Sequence, residues 1–165
     1  MNRNVGTASV FVTGCALLVL VLAPPALTAQ RDRAPVALVG TWRLAEHWDK
    51  DSTGVLTHRF GPQPVGYFVH DAARHFSVQI MRTPPLRALP ASADTAGLRQ
   101  LIEGYYAAFG TFTVDPDRGE SVYHVEGSTV PSIIGTDGRL PYRLSGDSLI
   151  VGDSKTWRRV WLRIH

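Results

Sequence analysis

His124 and Glu126 stand two residues apart in Ser121-Val122-Tyr123-His124-Val125-Glu126-Gly127-Ser128, a run whose alternation reads as a β-strand. Residues i and i+2 of a strand leave the same face, so the imidazole and the carboxylate are neighbours. Such a couple can move protons to and from a bound molecule, or grip its polar group. The spacing fits equally well a structural pair bonded to the next strand, or a solvent face with Tyr123 and Val125 filling the core. Gln79 poses the same question: it is exposed if Phe76, Val78 and Ile80 face inward, and lines a pocket if the face reverses. Tyr105 and Tyr106 cannot both point one way, and Glu46 shares the parity of Trp42. Gln79, Tyr106, His124 and Glu126 fall on three successive strands, where side chains at one level can converge. They form the expected ligand-binding set, and His124 with Glu126 would be the acid–base couple if the protein were an enzyme. A slip of one residue in register would send every one of them to the opposite face.

Other chemistry finds no residues to carry it. There is no Gly-x-Ser-x-Gly elbow, no glycine-rich phosphate cradle and no His-Glu-x-x-His. Histidines 47, 58, 70, 75, 124 and 165 are dispersed, with no pair at ligand spacing on one element, so neither a metal nor a cofactor is implied. Asp49-Lys50-Asp51-Ser52-Thr53-Gly54 resembles the start of a calcium loop, but Phe60 holds the place of the bidentate glutamate, and the stretch reads as a turn. The net charge of +3 is scattered in both signs. No Lys/Arg cluster is interleaved with aromatics, so nucleic acid is not an expected partner.

The elements that position these residues begin after a leader. Residues 1–29 run from a charged start, Met1-Asn2-Arg3-Asn4, through an apolar stretch to Pro24-Pro25 and then a small residue, Ala29. That order is a secretory signal cleaved near Ala29. Val12-Thr13-Gly14-Cys15 matches the local pattern of a lipoprotein acylation site, but such a cysteine should follow the apolar run, and here the run follows it. Val5 to Ala23 is nearly long enough to span a bilayer, but Gly, Thr and Ser dilute it, so no stable span is expected in the mature chain. The leader holds the one cysteine of the chain, so the mature domain has no disulfide and depends on burial and strand pairing. Residues 30–36 read as a tether and 37–165 as a single domain.

Eight strands follow from alternation and from the turns between them: 37–48, 65–70, 74–82, 106–114, 121–128, 139–145, 148–152 and 156–164. Pro141 inside its strand suggests an irregular segment there. Thr83 to Ala91 holds three prolines and must leave the sheet. Ser92 can then cap a helix, with Asp94 in its first turn and Leu98, Leu101, Ile102 and Tyr105 at helical spacing. That helix either covers a barrel mouth or lies on the barrel's side. Eight antiparallel strands joined mostly by hairpins close into a barrel with room for one small ligand. Gly40 and Trp42 open the first strand, and Arg163 answers near the end of the last: a floor of indole and guanidinium.

With these strands in place, the chain resembles the bacterial and fungal lipocalin-like domain family. The residues that carry the resemblance are Leu38-Val39-Gly40-Thr41-Trp42-Arg43-Leu44, Gly61-Pro62-x-Pro64-Val65-Gly66-Tyr67, Ser77-Val78-Gln79-Ile80-Met81-Arg82 and Tyr106-x-Ala108-Phe109-Gly110-Thr111-Phe112. His124-Val125-Glu126-Gly127-Ser128, Gly135-Thr136, Trp161 and Arg163 complete the set. Where the family often shows an aromatic after Pro131, this chain has Ser132-Ile133-Ile134, which would alter the wall of the site. The resemblance implies an all-β fold, an eight-stranded antiparallel up-and-down barrel with one short helix inserted between strands. Leader and barrel together give the leading reading, a secreted or periplasmic binding protein that holds a small, apolar or amphipathic molecule in the barrel. A cofactor-independent isomerase or cyclase on His124 and Glu126 is the alternative, and a filled barrel that binds a partner protein on its outside is a third reading.

Overall fold

The computed structural model describes residues 37–85 and 95–165. The expected signal and tether, Cys15, and the expected Ser92 cap with Asp94 lie outside the described residues. The strands are β1 (Gly40–Lys50), β2 (Leu56–Thr57), β3 (Val65–His70), β4 (His75–Met81), β5 (Tyr105–Asp115), β6 (Glu120–Ser128), β7 (Asp137–Ser145), β8 (Ser148–Val151) and β9 (Trp157–Arg163). One helix, α1 (Thr95–Glu103), stands between β4 and β5. Every pairing is antiparallel, and β1 pairs with both β3 and β9, which closes an eight-stranded barrel. The two-residue β2 is an addition, paired to Asp49 and Lys50 at the far end of β1.

Period-two alternation sorts inside from outside. Phe68 and His70 on β3, Phe76, Val78 and Ile80 on β4, and Ser121, Tyr123 and Val125 on β6 are buried, while their neighbours in sequence face out. Phe68 is central to an aromatic cluster, with ring centroids 5.6 Å from Tyr123 and 5.3 Å from Trp161. Below that cluster lies the closed end. Trp42 is fully buried and donates its indole N–H to the Leu38 carbonyl at 3.0 Å, and the Arg163 guanidinium carbon lies 4.0 Å from the centre of its ring. Arg163 also donates to the carbonyls of Val39 and Ala37. Gly40 has φ +143°, and a Cβ there would stand 2.7 Å from the Arg163 guanidinium, so glycine is what lets the arginine reach the indole.

Two β-bulges change what strict alternation would give. On β1, Leu44 faces Trp161 and Glu46 faces Val160, which leaves Ala45 as an extra residue. Inward parity therefore passes from Trp42 and Leu44 to His47 and Asp49. The parity that Glu46 shares with Trp42 in the sequence is broken at this point: Glu46 and Trp48 turn away from the cavity, where the Trp48 indole N–H donates to Glu46. On β6, Val125 faces Gly110 and Gly127 faces Phe109, so Glu126 is the extra residue. Gly110 admits this bulge, because a Cβ there would collide with the His124 carbonyl oxygen.

Pro141 proves compatible with an unbroken strand. Its carbonyl accepts from Gly152 just where the β7–β8 ladder begins, so its missing N–H falls at the edge of that ladder and removes no interior bond. Helix α1 contacts β5 and leaves Leu98, Leu101 and Ile102 substantially exposed, and none of its described residues lines the barrel interior. Among the described residues no helix is long and apolar enough to cross a membrane.

Candidate functional site

Above the aromatic cluster the barrel holds a cavity of about 350 Å³. Its walls follow from the inward positions of the strands: Phe68, Phe76, Ala108, Tyr123, Val125 and Trp161 are among them. Near the end of β6 the wall is completed by Ile133, from the short 3-10 turn Pro131–Ile133, while Ile134 is exposed. The aromatic-poor segment noted in the sequence thus supplies an aliphatic side chain to the site.

Polar groups gather at the open end. The β1 bulge brings in His47 and Asp49, β5 contributes Tyr106 from near its start, β9 contributes Arg159, and the loop after β2 contributes Arg59 and Phe60. Arg159 donates through Nη2 to Asp49 Oδ1 at 2.8 Å and through Nη1 to the carbonyls of Trp48, at 2.6 Å, and Arg158, at 3.0 Å. Burial draws its pKa below the ordinary arginine value, and Asp49 opposes that shift. The Arg59 guanidinium lies 5.3 Å from the centre of the Phe60 ring. Phe60 is buried and meets His47 edge-on at 4.9 Å.

His47 is only 4 % exposed, and its Nδ1 has no hydrogen-bond partner among the described residues. Burial first, and the nearby Arg159 charge second, lower its pKa to about 4. It is therefore a neutral imidazole at neutral pH, able to hydrogen-bond a ligand but too weak a base to hold a proton there. Burial likewise raises the Tyr106 pKa, with Arg159 and Arg59 pulling the other way, so its hydroxyl keeps its proton. Deeper in the barrel, His70 Nε2 meets the Tyr123 hydroxyl at 2.9 Å. Burial lowers the His70 pKa to about 3 and raises that of Tyr123 well above the phenol range, so both are neutral.

Of the four ligand-binding residues expected from sequence, Tyr106 lines the cavity and the others do not. Gln79 is exposed on the outer face of β4, in a shallow depression with Thr41 and Tyr67. His124 and Glu126 also face outward, with Tyr123 and Val125 in the core, which corrects the expectation that the pair points inward. The register decides this, because the inward positions of β6 are taken by Ser121, Tyr123 and Val125. His124 Nδ1 bonds Asp137 Oδ1 across to β7 at 2.8 Å, with the histidine side chain 51 % exposed, and the barrel cavity does not reach the couple. Among the described residues no three His, Cys, Asp or Glu side chains are grouped to hold a metal ion.

His47, Asp49, Arg59 and Arg159 are the members that sequence reasoning missed. One of them carried a usable signal: Trp157, Arg159, Trp161 and Arg163 share a parity on β9, so an inward Trp161 and Arg163 place Arg159 inward as well. His47 and Asp49 carried none, because a bulge is not visible in the alternation, and Arg59 sits in a loop without periodicity.

Compared with known proteins, residues 39–163 match the profile of a family described as a lipocalin-like domain. No curated protein matches the chain. Among solved structures it is similar to the lipoprotein YedD of Klebsiella pneumoniae subsp. pneumoniae, at 10% identity and a TM-score of 0.42, over 81% of this chain and 76% of that one. It is also similar to a point mutant of the fluorescent protein UnaG, at 12% identity and a TM-score of 0.33, over 76% of this chain and 94% of that one.

Proposed function

This chain belongs to the lipocalin-like domain family, and from that premise we propose that it is a binding protein that holds a small, largely apolar molecule inside the barrel. The observation that carries the reading is the cavity of about 350 Å³, walled by aromatic and aliphatic side chains and edged at one end by a few polar groups. That combination of volume, apolar lining and convergent polar atoms is the usual form of a small-molecule site. A barrel filled by its own side chains would leave no such space. An acid–base enzyme on His124 and Glu126 would need an enclosed site around them, and they face solvent.

N-Phenyl-1-naphthylamine, an uncharged probe that fluoresces in apolar surroundings, tests this directly. It is expected to bind one per protein. Ala108, 2 % exposed, borders the cavity, so Ala108→Phe puts a ring into that space. The variant should weaken the probe by at least about tenfold, equivalent to ~1.4 kcal/mol, with the far-ultraviolet spectrum of the barrel retained. Gln79→Ala, on the outer face, should leave binding unchanged. A probe that does not bind, or that binds the filled variant as well as the parent, would overturn the reading.

Export belongs to the same reading. Residues 1–29 act as a signal, 30–36 as a tether and 37–165 as the working domain; the charged, apolar, proline-broken, small-residue order of the leader supports this. N-terminal sequencing of the exported protein should begin close to Gln30. A start at Cys15 with an added lipid mass would replace secretion by membrane anchoring.

A further inference from the structure

The mouth of the cavity carries an imbalance of charge. Its lining includes two guanidinium groups, Arg59 and Arg159, and one carboxylate, Asp49. The other titratable groups there, His47 and Tyr106, are neutral at neutral pH. A net charge of about +1 thus borders an otherwise apolar chamber, where the low dielectric strengthens its pull on an opposite charge.

The hydrogen bonds are incomplete in the same sense. A guanidinium has five N–H donors. Arg159 commits two through Nη1 to backbone carbonyls and one through Nη2 to Asp49, while its side chain is only 18 % exposed. Two donors of this guanidinium stay uncommitted among the described residues. Within that same set Arg59 makes no ion pair: its guanidinium lies against the Phe60 ring. His47 adds a buried ring nitrogen without a partner. Buried polar groups are normally satisfied, so the orphaned His47 nitrogen, with the uncommitted N–H groups of the two guanidiniums beside it, calls for a polar ligand group at this edge of the cavity.

Building on the reading that the cavity holds a small apolar molecule, we propose that this molecule is an amphipathic organic anion of the carboxylate type, its head held by Arg59 and Arg159 beside Tyr106 and its apolar body against Phe68, Ala108, Tyr123 and Trp161. A guanidinium matches a carboxylate in shape as well as in charge, which a neutral hydroxyl or carbonyl cannot exploit. A cationic ligand would meet this net like charge. Asp49 does not repel the head decisively, because its own charge is engaged by Arg159.

Displacement of bound N-phenyl-1-naphthylamine separates this proposal from the reading beneath it. Decanoate and 1-decanol share a tail and differ in the head. Decanoate should displace the probe at least about tenfold more effectively at neutral pH, as expected for a charge-assisted contact in a partly buried site. Added salt should weaken decanoate and leave 1-decanol unaffected. Arg59 is exposed in a loop, so its replacement is compatible with folding. Arg59→Gln should reduce the preference several-fold, and Arg59→Glu should abolish or invert it. Equal displacement by acid and alcohol, or a preference unchanged in Arg59→Glu, would overturn the anion proposal while leaving the apolar cavity intact. Failure of the neutral probe to bind would bring down the binding reading itself.

Discussion

Trp42→Ala is expected to destabilise the barrel by about 3–5 kcal/mol, the range for deletion of a buried large aromatic side chain. Three losses act together. The ring fills the closed end with no exposure at all, so its removal leaves a void that the strands cannot collapse into. The Leu38 carbonyl loses the indole N–H that bonds it at 3.0 Å. Arg163 loses the face on which its guanidinium lies, 4.0 Å from the ring centre. Trp42 also sits where β1 pairs with both β3 and β9, at Phe68 and Arg163, so the void opens at the seam that closes the barrel. Urea unfolding followed by tryptophan fluorescence measures the change, and a midpoint equal to that of the parent would refute the floor. Arg163→Lys should be milder but still unfavourable, because an ammonium cannot lie flat on an indole while bonding two carbonyls.

Acid should destabilise this protein from about pH 6.5 downward, through two buried imidazoles. His47 and His70 have folded pKa values of about 4 and about 3, against about 6.5 for an unperturbed histidine. Their folded values are depressed, so the unfolded chain binds protons at these two positions over a range of pH in which the folded chain does not. The stability they permit is fully present above pH 6.5 and falls as pH drops toward their folded values. Each histidine contributes a slope of up to about 1.4 kcal/mol per pH unit in that window. Between pH 6.5 and 5 the two together should cost a few kcal/mol. The carboxylates depressed by local hydrogen bonds, Asp51, Asp71 and Asp153, act only at lower pH, since their unfolded value is near 3.8. Urea unfolding free energies at pH 7, 6 and 5 test the slope. The double variant His70→Phe/Tyr123→Phe removes the buried pair without stranding either partner, and its slope should fall by about one proton. A stability that does not change between pH 7 and 5 would contradict the burial of both imidazoles as neutral groups.

The site was less legible than the fold, and particular residues show why. His124 and Glu126 looked like a functional couple because their spacing guarantees a shared face, but spacing cannot say which face. Tyr123 and Val125 compete for the interior and win it, since burying a phenol with one hydrogen bond and an aliphatic side chain costs less than burying an ion pair. Arg159 went unnoticed although it shares the parity of Trp161 and Arg163. An arginine is ordinarily assigned to solvent, and only the approach of Asp49 and two carbonyls offsets the cost of burying this one.

Sequence alone determined the architecture of the described barrel. Alternation located eight strands to within a few residues, turn residues separated them, and Gly40, Trp42 and Arg163 marked both ends of the chain that meet in its floor. These are local properties: side-chain period, turn preference and size are read within a few positions of one another. Tertiary structure decided most of the site. The bulge at Ala45 arises from how β1 pairs with β9, and it turns His47 and Asp49 inward in place of Glu46 and Trp48. The register of β6 against β5 turned His124 and Glu126 outward, and closure of the barrel carried Arg59, Tyr106 and Arg159 from distant parts of the chain to one rim. Register and closure are set by long-range pairing, and a shift of one residue in either reverses which side chains see the interior.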